Sequence, residues 1–148
     1  MKFVVIPAHL QSELRTWSRA STEREACGAL IGSRAADLIT ITHVERLRNV
    51  SPRPDSFECD SATIVALDRH LAGKPCEIVG FWHSHASGES TPSTHDAWGA
   101  WPGSLTAIVC PTHTPPLRFW RFEGTTSIEV RAITPIAGHP LSARTPCS

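Results

Sequence analysis

The stretch EIVGFWHSH, residues 77–85, decides the fold that we expect for this chain of 148 residues. Four of its residues between positions 78 and 82 are apolar, and a nearly continuous apolar run is typical of a strand buried on both faces of a sheet. The strand ends in His83 and His85, which are separated by one residue. Because side chains alternate along a strand, both imidazoles point to the same face. We therefore expect a central strand with polar chemistry at its carboxyl end.

Hydrophobic periodicity predicts the elements around this strand. We expect further strands over residues 2–6, 25–32, 38–47, 105–110, 117–122 and 127–133, and helices after Pro7, from Asp60 or Ser61 to Gly73, and from Ser93 to Trp101. Helices and strands do not alternate strictly, so the sequence predicts an α/β sandwich with a mixed sheet. After about residue 135 the chain is rich in Gly, Pro and Ser. We expect one domain over residues 1–134 and a flexible tail over residues 135–148.

Charge and cysteine content argue against several classes of protein. Lys plus Arg is 14 and Asp plus Glu is 14, so no basic field exists to hold nucleic acid. The five cysteines include no C-x-x-C pair, which argues against a disulfide framework and favours free thiols in a reducing compartment. The apolar run near the N-terminus is too short for a signal peptide, and no run approaches the roughly 20 residues that cross a bilayer. We expect a cytoplasmic protein without nucleic-acid or membrane partners.

The segment HSHASGESTPSTHD, residues 83–96, contains donors suited to a metal ion. Asp96 lies three residues after Ser93 at a predicted helix start, and a carboxylate there could join the two histidines. Two His and one carboxylate leave the fourth position of a tetrahedral zinc site open for water, as in catalytic sites. Glu25, at the start of a strand, is the candidate general base for that water. Ser93 is a candidate donor to the oxyanion of a tetrahedral intermediate.

Each of these residues also has an ordinary structural explanation. Ser93-x-x-Asp96 is a common helix-capping pattern, and two histidines on a strand are more often surface or hydrogen-bonded groups than ligands. Glu25 alone would be an ordinary carboxylate at the end of a strand, with no indication of a catalytic role. The combination is what favours the site, because H-x-H followed at fixed offsets by Ser and Asp arises by chance in roughly one chain in a few thousand.

This combination resembles the JAMM, or MPN-plus, metalloprotease family, whose signature is an upstream Glu, then H-x-H, seven residues, and S-x-x-D. Five residues of this chain fit that spacing: Glu25, His83, His85, Ser93 and Asp96. The segment EACGALIG is also similar to the family's glutamate strand, and the resemblance covers about residues 2–133. It implies an α/β single-domain fold, a mixed curved β-sheet flanked by helices, of the cytidine-deaminase-like type. It also implies one catalytic Zn²⁺ on His83, His85 and Asp96, with Glu25 as general acid/base and Ser93 as oxyanion stabiliser.

The resemblance further implies cleavage of a peptide or isopeptide bond after the C-terminus of a ubiquitin-like or sulfur-carrier-like protein with a Gly-Gly-type tail. The loops at residues 51–55 and after Asp96 are short, which indicates a small bacterial-type enzyme. Activating-enzyme-like or conjugating-enzyme-like proteins of a bacterial, antiviral conjugation system are the further partners expected. One departure is Ala86, where the family usually has Pro, so we expect a looser loop. Three alternatives stay open: a non-catalytic scaffold of the same fold, a RadC-like DNA-repair-associated protein, and a hydrolase of small amides.

Several residues near the signature have two interpretations. Trp82, Trp98 and Trp101 are expected in the core, while one of them could wall a groove for an extended tail that adds to a sheet edge. His95 adjoins Asp96, and we expect it to face solvent rather than to act as a fourth ligand. Cys27 is expected to be a buried thiol and not a nucleophile.

Overall fold

The computed structural model of the protein describes residues 1–21 and 23–136, with the backbone alone for residues 98 and 99. The described strands are β1 (Phe3–Val5), β2 (Cys27–Ala35), β3 (Leu38–Leu47), β4 (Glu77–Ser84), β5 (Leu105–Val109), β6 (Leu117–Glu123) and β7 (Thr126–Ile133). The helices are α1 (Ala8–Ala20), α2 (Ser61–Leu71) and α3 (Thr94–Gly99). None of these helices is both long and apolar enough to span a bilayer.

The strands form one mixed sheet that closes on itself in the order β1-β3-β2-β4-β5-β6-β7. The mixed character was predicted: β1 runs parallel to β3 and to β7, and β4 runs parallel to β5, while the other neighbours are antiparallel. The expected curved sheet flanked by helices is corrected to a closed barrel. Three residues of β1 bridge β3 and β7, and this bridge removes the free edges that an open sheet would have.

The core lies between the sheet and α1. Leu10 and Leu14 of α1 are almost fully buried and join the apolar cluster of the sheet, and Trp17 packs against the same cluster. These three residues follow the predicted spacing of one helical face. The helix touches β3 and β5, which are not neighbours in the sheet. It therefore crosses the buried face of the sheet. By contrast, Leu71 is the single buried residue of α2.

Strands β2, β3 and β4 approach each other unusually closely around Gly28. A Cβ atom at this position would overlap the Glu45 carbonyl oxygen of β3 and the Trp82 indole nitrogen of β4. Without that Cβ, the Trp82 Nε1–H donates to the Glu45 carbonyl at 3.0 Å, and its ring stacks on Trp17 with centroids 5.7 Å apart. Trp82 is fully buried, so the expectation that it belongs to the core is confirmed.

Several predicted boundaries differ from the structure. The strand expected over residues 25–32 begins at Cys27, because β3 ends at Leu47 and leaves Glu25 without a strand partner. Helix α3 ends at Gly99 instead of Trp101, since a residue directly before Pro102 disfavours helical backbone. Cys76 is disulfide-bonded, so the expectation of free thiols fails there. Residues 137–148 of the predicted tail lie outside the described residues.

Replacing Gly28 with Ala should destabilise the protein by about 1–3 kcal/mol, because the added methyl group has no space between β3 and Trp82. Urea unfolding followed by tryptophan fluorescence measures the loss. Gly73→Asn is the matched control, since Gly73 has positive φ with open space around it and Asn tolerates that backbone. A loss at Gly28 no larger than the loss at Gly73 would contradict the close packing.

Candidate metal centre

Three predicted ligands meet where β4 ends. His83 is the second-last residue of β4, and His85 directly follows the end of that strand. Asp96 lies in the first turn of α3. Their donor atoms lie within 4.8 Å of one another. The two Nε2 atoms are 3.2 Å apart, Asp96 Oδ1 is 3.0 Å from His83 Nε2, and Asp96 Oδ2 is 3.4 Å from His85 Nε2. The structure thus brings together the three residues that the sequence placed 13 positions apart at most.

These distances fit a tetrahedral zinc ion. Two zinc–ligand bonds of about 2.0–2.1 Å, at the tetrahedral angle, place their donor atoms about 3.3 Å apart. The two Nε2 atoms, 3.2 Å apart, are close to that value, and each imidazole has one oxygen of the Asp96 carboxylate at a similar distance, 3.0 Å for His83 and 3.4 Å for His85. The donor set of two imidazoles and one carboxylate is one that catalytic zinc sites use. His83, His85 and Asp96 could therefore hold a metal ion with one position left for water.

Neighbouring groups orient the ligands. The His85 Nδ1 atom lies 2.9 Å from the Glu89 carbonyl oxygen, so Nδ1 carries the proton and the Nε2 lone pair is free to face a metal. The Ser93 backbone N–H donates to Asp96 Oδ2 at 2.7 Å. The Phe57 ring stacks on the His83 imidazole, with centroids 4.2 Å apart and planes 16° apart. His83 is fully buried under that ring.

The electrostatics of the ligands match a site that receives a cation. Burial lowers the pKa of His83, which favours the neutral imidazole that binds metals. Burial also opposes charge on His85, but its contacts with Asp96 and the Glu89 carbonyl outweigh that effect and raise its pKa. For Asp96, burial is outweighed by the hydrogen bonds from both histidines, so its pKa is well below the usual range. Asp96 is thus a carboxylate at any physiological pH.

Glu25 lies beside the ligand cluster, as predicted. Burial is the main cause that raises its pKa to about 7; His85 lowers it, while Asp96 and Asp55 raise it further. Its Oε2 atom is buried without a hydrogen-bond partner among the described residues. Glu25 and His85 together line a cavity of about 300 Å³. A carboxyl group with a pKa near neutral pH can accept and return a proton there.

Ser93 has the capping role that was weighed against a catalytic one. Its hydroxyl oxygen accepts from the Asp96 N–H at 3.2 Å, and the Asp96 carboxylate accepts from the Ser93 N–H, which is a complete capping box. The hydroxyl acts only as an acceptor in this pair, so its own proton stays available to another acceptor. The capping role is confirmed, and the oxyanion role stays a prediction.

A second cavity, of about 310 Å³, opens on the other side of Asp96. Aromatic and aliphatic side chains line it, among them Phe57, Ile64, Phe81 and Trp101. Trp101 is 58% exposed and contacts Phe81 edge to face, with centroids 5.2 Å apart. The cluster of His83, His85 and Asp96 borders both cavities, since Asp96 lines one and His85 lines the other.

The remaining predicted residues divide between core and surface. Trp101 does not join the core as expected. Its ring is largely exposed and forms a wall of the second cavity, in line with the alternative that one tryptophan walls a groove. The side chain of Trp98 lies outside the described part of the structure. His95 is exposed, as expected, and is absent from the metal-binding group found among the described residues.

Cys27 is fully buried, as predicted, so its thiol cannot reach a substrate. A hydrogen bond with the Cys59 thiol lowers the pKa of Cys27 in spite of its burial, and the same contact raises the pKa of Cys59. The depressed pKa gave no signal in the sequence, because Cys59 lies 32 positions away.

Three groups that shape the site were not predicted from the sequence. Phe57 lies in a loop without hydrophobic periodicity, and Glu89 acts through its backbone carbonyl, so neither carried a pattern. Ser84 lies between the two histidines, and its hydroxyl accepts from the Ala26 N–H at 2.8 Å. The only feature of the sequence that could have drawn attention to Ser84 is its position between the two histidines.

The metal-free Glu25→Gln protein should be more stable than the metal-free wild type at pH 8, by about 1–2 kcal/mol after allowance for partial exposure. The pKa of Glu25 is about 7 in the fold and ordinarily 4.5. Its raised pKa favours folding while the carboxyl is protonated, and this advantage is lost as pH rises from about 4.5 through 7. Urea unfolding with a chelator present measures both proteins at pH 4 and pH 8. An equal difference at both pH values would contradict the raised pKa.

Comparison with known proteins agrees with this geometry. Residues 7–123 match the family model described as prokaryotic homologs of the JAB domain. A desampylase from Haloferax volcanii is 30% identical over 102 residues, which cover 68% of this chain and 72% of the relative.

Solved structures resemble the fold alone. A solution structure of a protein from Desulfitobacterium hafniense has a TM-score of 0.79 and 20% identity, and the match covers 90% of this chain and 92% of the other. A solution structure of a protein from Salinibacter ruber has a TM-score of 0.66 and 23% identity, with 95% of each chain covered. The family model spans most of the chain, and the resemblance inferred from the sequence is confirmed: this chain belongs to the family of prokaryotic homologs of the JAB domain.

Proposed function

We propose that the protein is a zinc-dependent peptidase or isopeptidase that cleaves after the C-terminus of a ubiquitin-like or sulfur-carrier-like protein. The observation that carries this proposal is the convergence of His83, His85 and Asp96 at zinc-ligand separations beside Glu25. The relative from Haloferax volcanii supports it, because desampylase is the name of a deconjugating enzyme.

In this proposal the three ligands are catalytic-site ligands. Zinc bound there supplies Lewis acidity, which makes water nucleophilic near neutral pH and polarises a carbonyl group. His83 and His85 would bind the zinc through their Nε2 lone pairs, and Asp96 contributes the one negative charge of the set. The buried position of His83 and Asp96 keeps bulk water from competing for those donors.

Glu25 is the group that moves protons. Its carboxyl oxygen Oε2 has no hydrogen-bond partner in the described part of the chain, so it is free to accept a proton from the attacking water. The same oxygen then returns the proton to the nitrogen of the leaving amine, which must be protonated before the amide bond breaks. A pKa near 7 suits both halves of this transfer, because neither protonation state is strongly favoured.

Ser93 donates to the oxyanion in this mechanism. Its hydroxyl is fixed at the N-cap of α3 by the Asp96 N–H, and its proton is not used by the cap. Developing negative charge on the carbonyl oxygen would therefore meet a donor that is already oriented.

The two cavities suggest how the substrate is oriented across the site. We place the C-terminal tail of the ubiquitin-like protein in the cavity walled by Phe57 and Trp101, which offers apolar contacts to an extended backbone. The leaving amine then lies toward Glu25 and His85 in the other cavity. The bond to be cleaved crosses the ligand cluster between them.

The wider setting is also part of the proposal. The protein would act in the cytoplasm, and activating-enzyme-like or conjugating-enzyme-like proteins of a bacterial antiviral system would be its partners. A hydrolase of small amides would use the same groups, and the 310 Å³ cavity favours a longer acyl chain over that alternative. A non-catalytic scaffold would have no use for a buried, unpartnered Glu25 carboxyl oxygen.

Zinc loading and turnover should separate the roles of His83 and Glu25. We expect one zinc per wild-type chain by elemental analysis, cleavage of ubiquitin-like fusion proteins, and loss of cleavage on chelation. His83→Ala should lose both zinc and activity. Glu25→Gln should keep zinc and lose about 10²- to 10⁴-fold in turnover, the range of a general acid–base group.

The control for these variants is His43→Ala, because His43 is an exposed histidine that pairs with Glu45 away from the ligands. It should keep both zinc and turnover. Full activity in Glu25→Gln would end the general-base assignment, and a wild type that binds no zinc would end the proposed function.

Ser93 can be tested apart from its capping role. Ser93→Gly should cost only a few tenths of a kcal/mol in stability, since Gly is an acceptable N-cap, but about 10²- to 10³-fold in kcat, the range for one oxyanion donor. Ser93→Thr keeps the hydroxyl and should retain most of the activity. If Ser93→Gly turns over like the wild type, Ser93 serves the helix alone.

A further inference from the structure

Asn49 joins the segment that carries Glu25 to the loop that follows β3. It is the only asparagine in the sequence. Its amide Nδ2 donates to the carbonyl oxygens of Glu25 and Ser56, at 2.9 and 3.1 Å. Its Oδ1 accepts from the N–H groups of Ser51 and Glu58, both at 3.0 Å. Two donors and two acceptor lone pairs are all that an asparagine side chain has, so every one is used.

Glu25 depends on its backbone for position. Its Oε2 atom has no partner among the described residues, so no hydrogen bond fixes that oxygen. Ser84 holds the next residue from one side: its N–H donates to the Ala26 carbonyl at 2.9 Å, and its Oγ accepts from the Ala26 N–H at 2.8 Å. Asn49 holds the Glu25 carbonyl from the other side. These anchors set where the carboxyl group lies relative to the ligands.

The same asparagine fixes the ring that covers His83. Ser56 and Glu58 flank Phe57, and Asn49 binds both of them. Phe57 stacks on His83 at 4.2 Å between centroids and also lines the cavity that Trp101 walls. One side chain therefore determines the backbone of Glu25 and the placement of Phe57. Asn49 itself makes no hydrogen bond to His83, His85 or Asp96.

We propose that Asn49 is a positioning residue that places the Glu25 carboxyl group and the Phe57 ring against the ligand cluster. The proposal rests on the proposed function, since it concerns the proton transfer assigned to Glu25. Asn49 makes no hydrogen bond to His83, His85 or Asp96, so we expect its loss to lower turnover more than the affinity of the cluster for zinc.

The main test is Asn49→Asp, which has nearly the same shape, keeps both acceptor bonds and removes both donated bonds. We expect kcat to fall about 10- to 100-fold, the range for groups that orient a site from outside, with KM changed less. Zinc affinity, measured by competition with a chromogenic chelator, should stay within about twofold of the wild type. Asn49→Ala removes all four bonds and should lower kcat at least as far.

A readout without zinc or substrate tests the bonds directly. In the metal-free protein, Asn49→Ala should speed hydrogen exchange of the Ser51 and Glu58 amides about 5- to 10-fold, the effect of losing one ordinary hydrogen bond. Asn49→Asp should leave exchange at these two amides near the wild-type rate, because its oxygen atoms still accept from them.

Gln11→Ala is the matched control for general loss of stability. The Gln11 amide also donates two hydrogen bonds, to the Ile6 carbonyl and the Thr134 hydroxyl, at α1 and away from the ligands. It should lower the melting temperature without lowering kcat. If Asn49→Asp loses zinc affinity in parallel with kcat, or if Gln11→Ala loses kcat equally at equal loss of stability, Asn49 is merely structural and the inference is overturned.

Different experimental outcomes would overturn the positioning role of Asn49 and the proposed function of the protein. An active wild type together with wild-type kcat in Asn49→Asp would overturn the positioning role alone. A zinc-loaded wild type that cleaves no ubiquitin-like fusion would overturn the proposed function, and the positioning role with it.

Discussion

The antiparallel pairing of β2 with β4 is the constraint on which the site depends. It places Cys27 opposite His83, and beyond the last pair, Ser84 binds Ala26 through both backbone and side chain. The residue that precedes this anchor is Glu25, and the residues on either side of Ser84 are the two histidines. Hydrogen bonds between these two segments therefore fix the distance from Glu25 to His83 and His85. Gly28 makes the pairing possible, because any larger residue would separate β2 from β3 and Trp82.

That constraint assembles groups whose burial disfavours folding. Among the described residues, no hydrogen-bond partner reaches the buried Oε2 atom of Glu25 or the buried Nδ1 atom of His83. Neither group stabilises the metal-free fold, since each buried polar atom without a partner costs about 1–3 kcal/mol. The apolar cluster of the barrel and α1 supplies the stability that keeps them in place. Such local conflict with folding is typical of functional sites, where preorganisation matters more than stability.

The sequence predicted the chemistry of the site better than its surroundings. Spacing alone located the ligands, because strand alternation and the helix start determine where His83, His85 and Asp96 point. The closure of the barrel was not predicted, since β1 is only three residues long and its two parallel partners are distant in sequence. Phe57 and Asn49 were missed for a related reason. Both act through loop contacts, and a loop contact leaves no periodic pattern in a sequence.

The capping pattern at Ser93 and Asp96 explains why two interpretations of the same residues can both be correct. The Ser93 N–H donates to Asp96 Oδ2, and this bond, which caps α3, also turns the carboxylate so that Oδ1 faces His83 and Oδ2 faces His85. The Ser93 oxygen accepts from the Asp96 N–H and leaves its own proton for another acceptor. Only proline at the N-cap of α3 would remove the bond that orients the Asp96 carboxylate, because proline has no backbone N–H to donate. Here the ordinary helix signal is the means by which the ligand is aimed, so a common local motif is no argument against a metal site built on it.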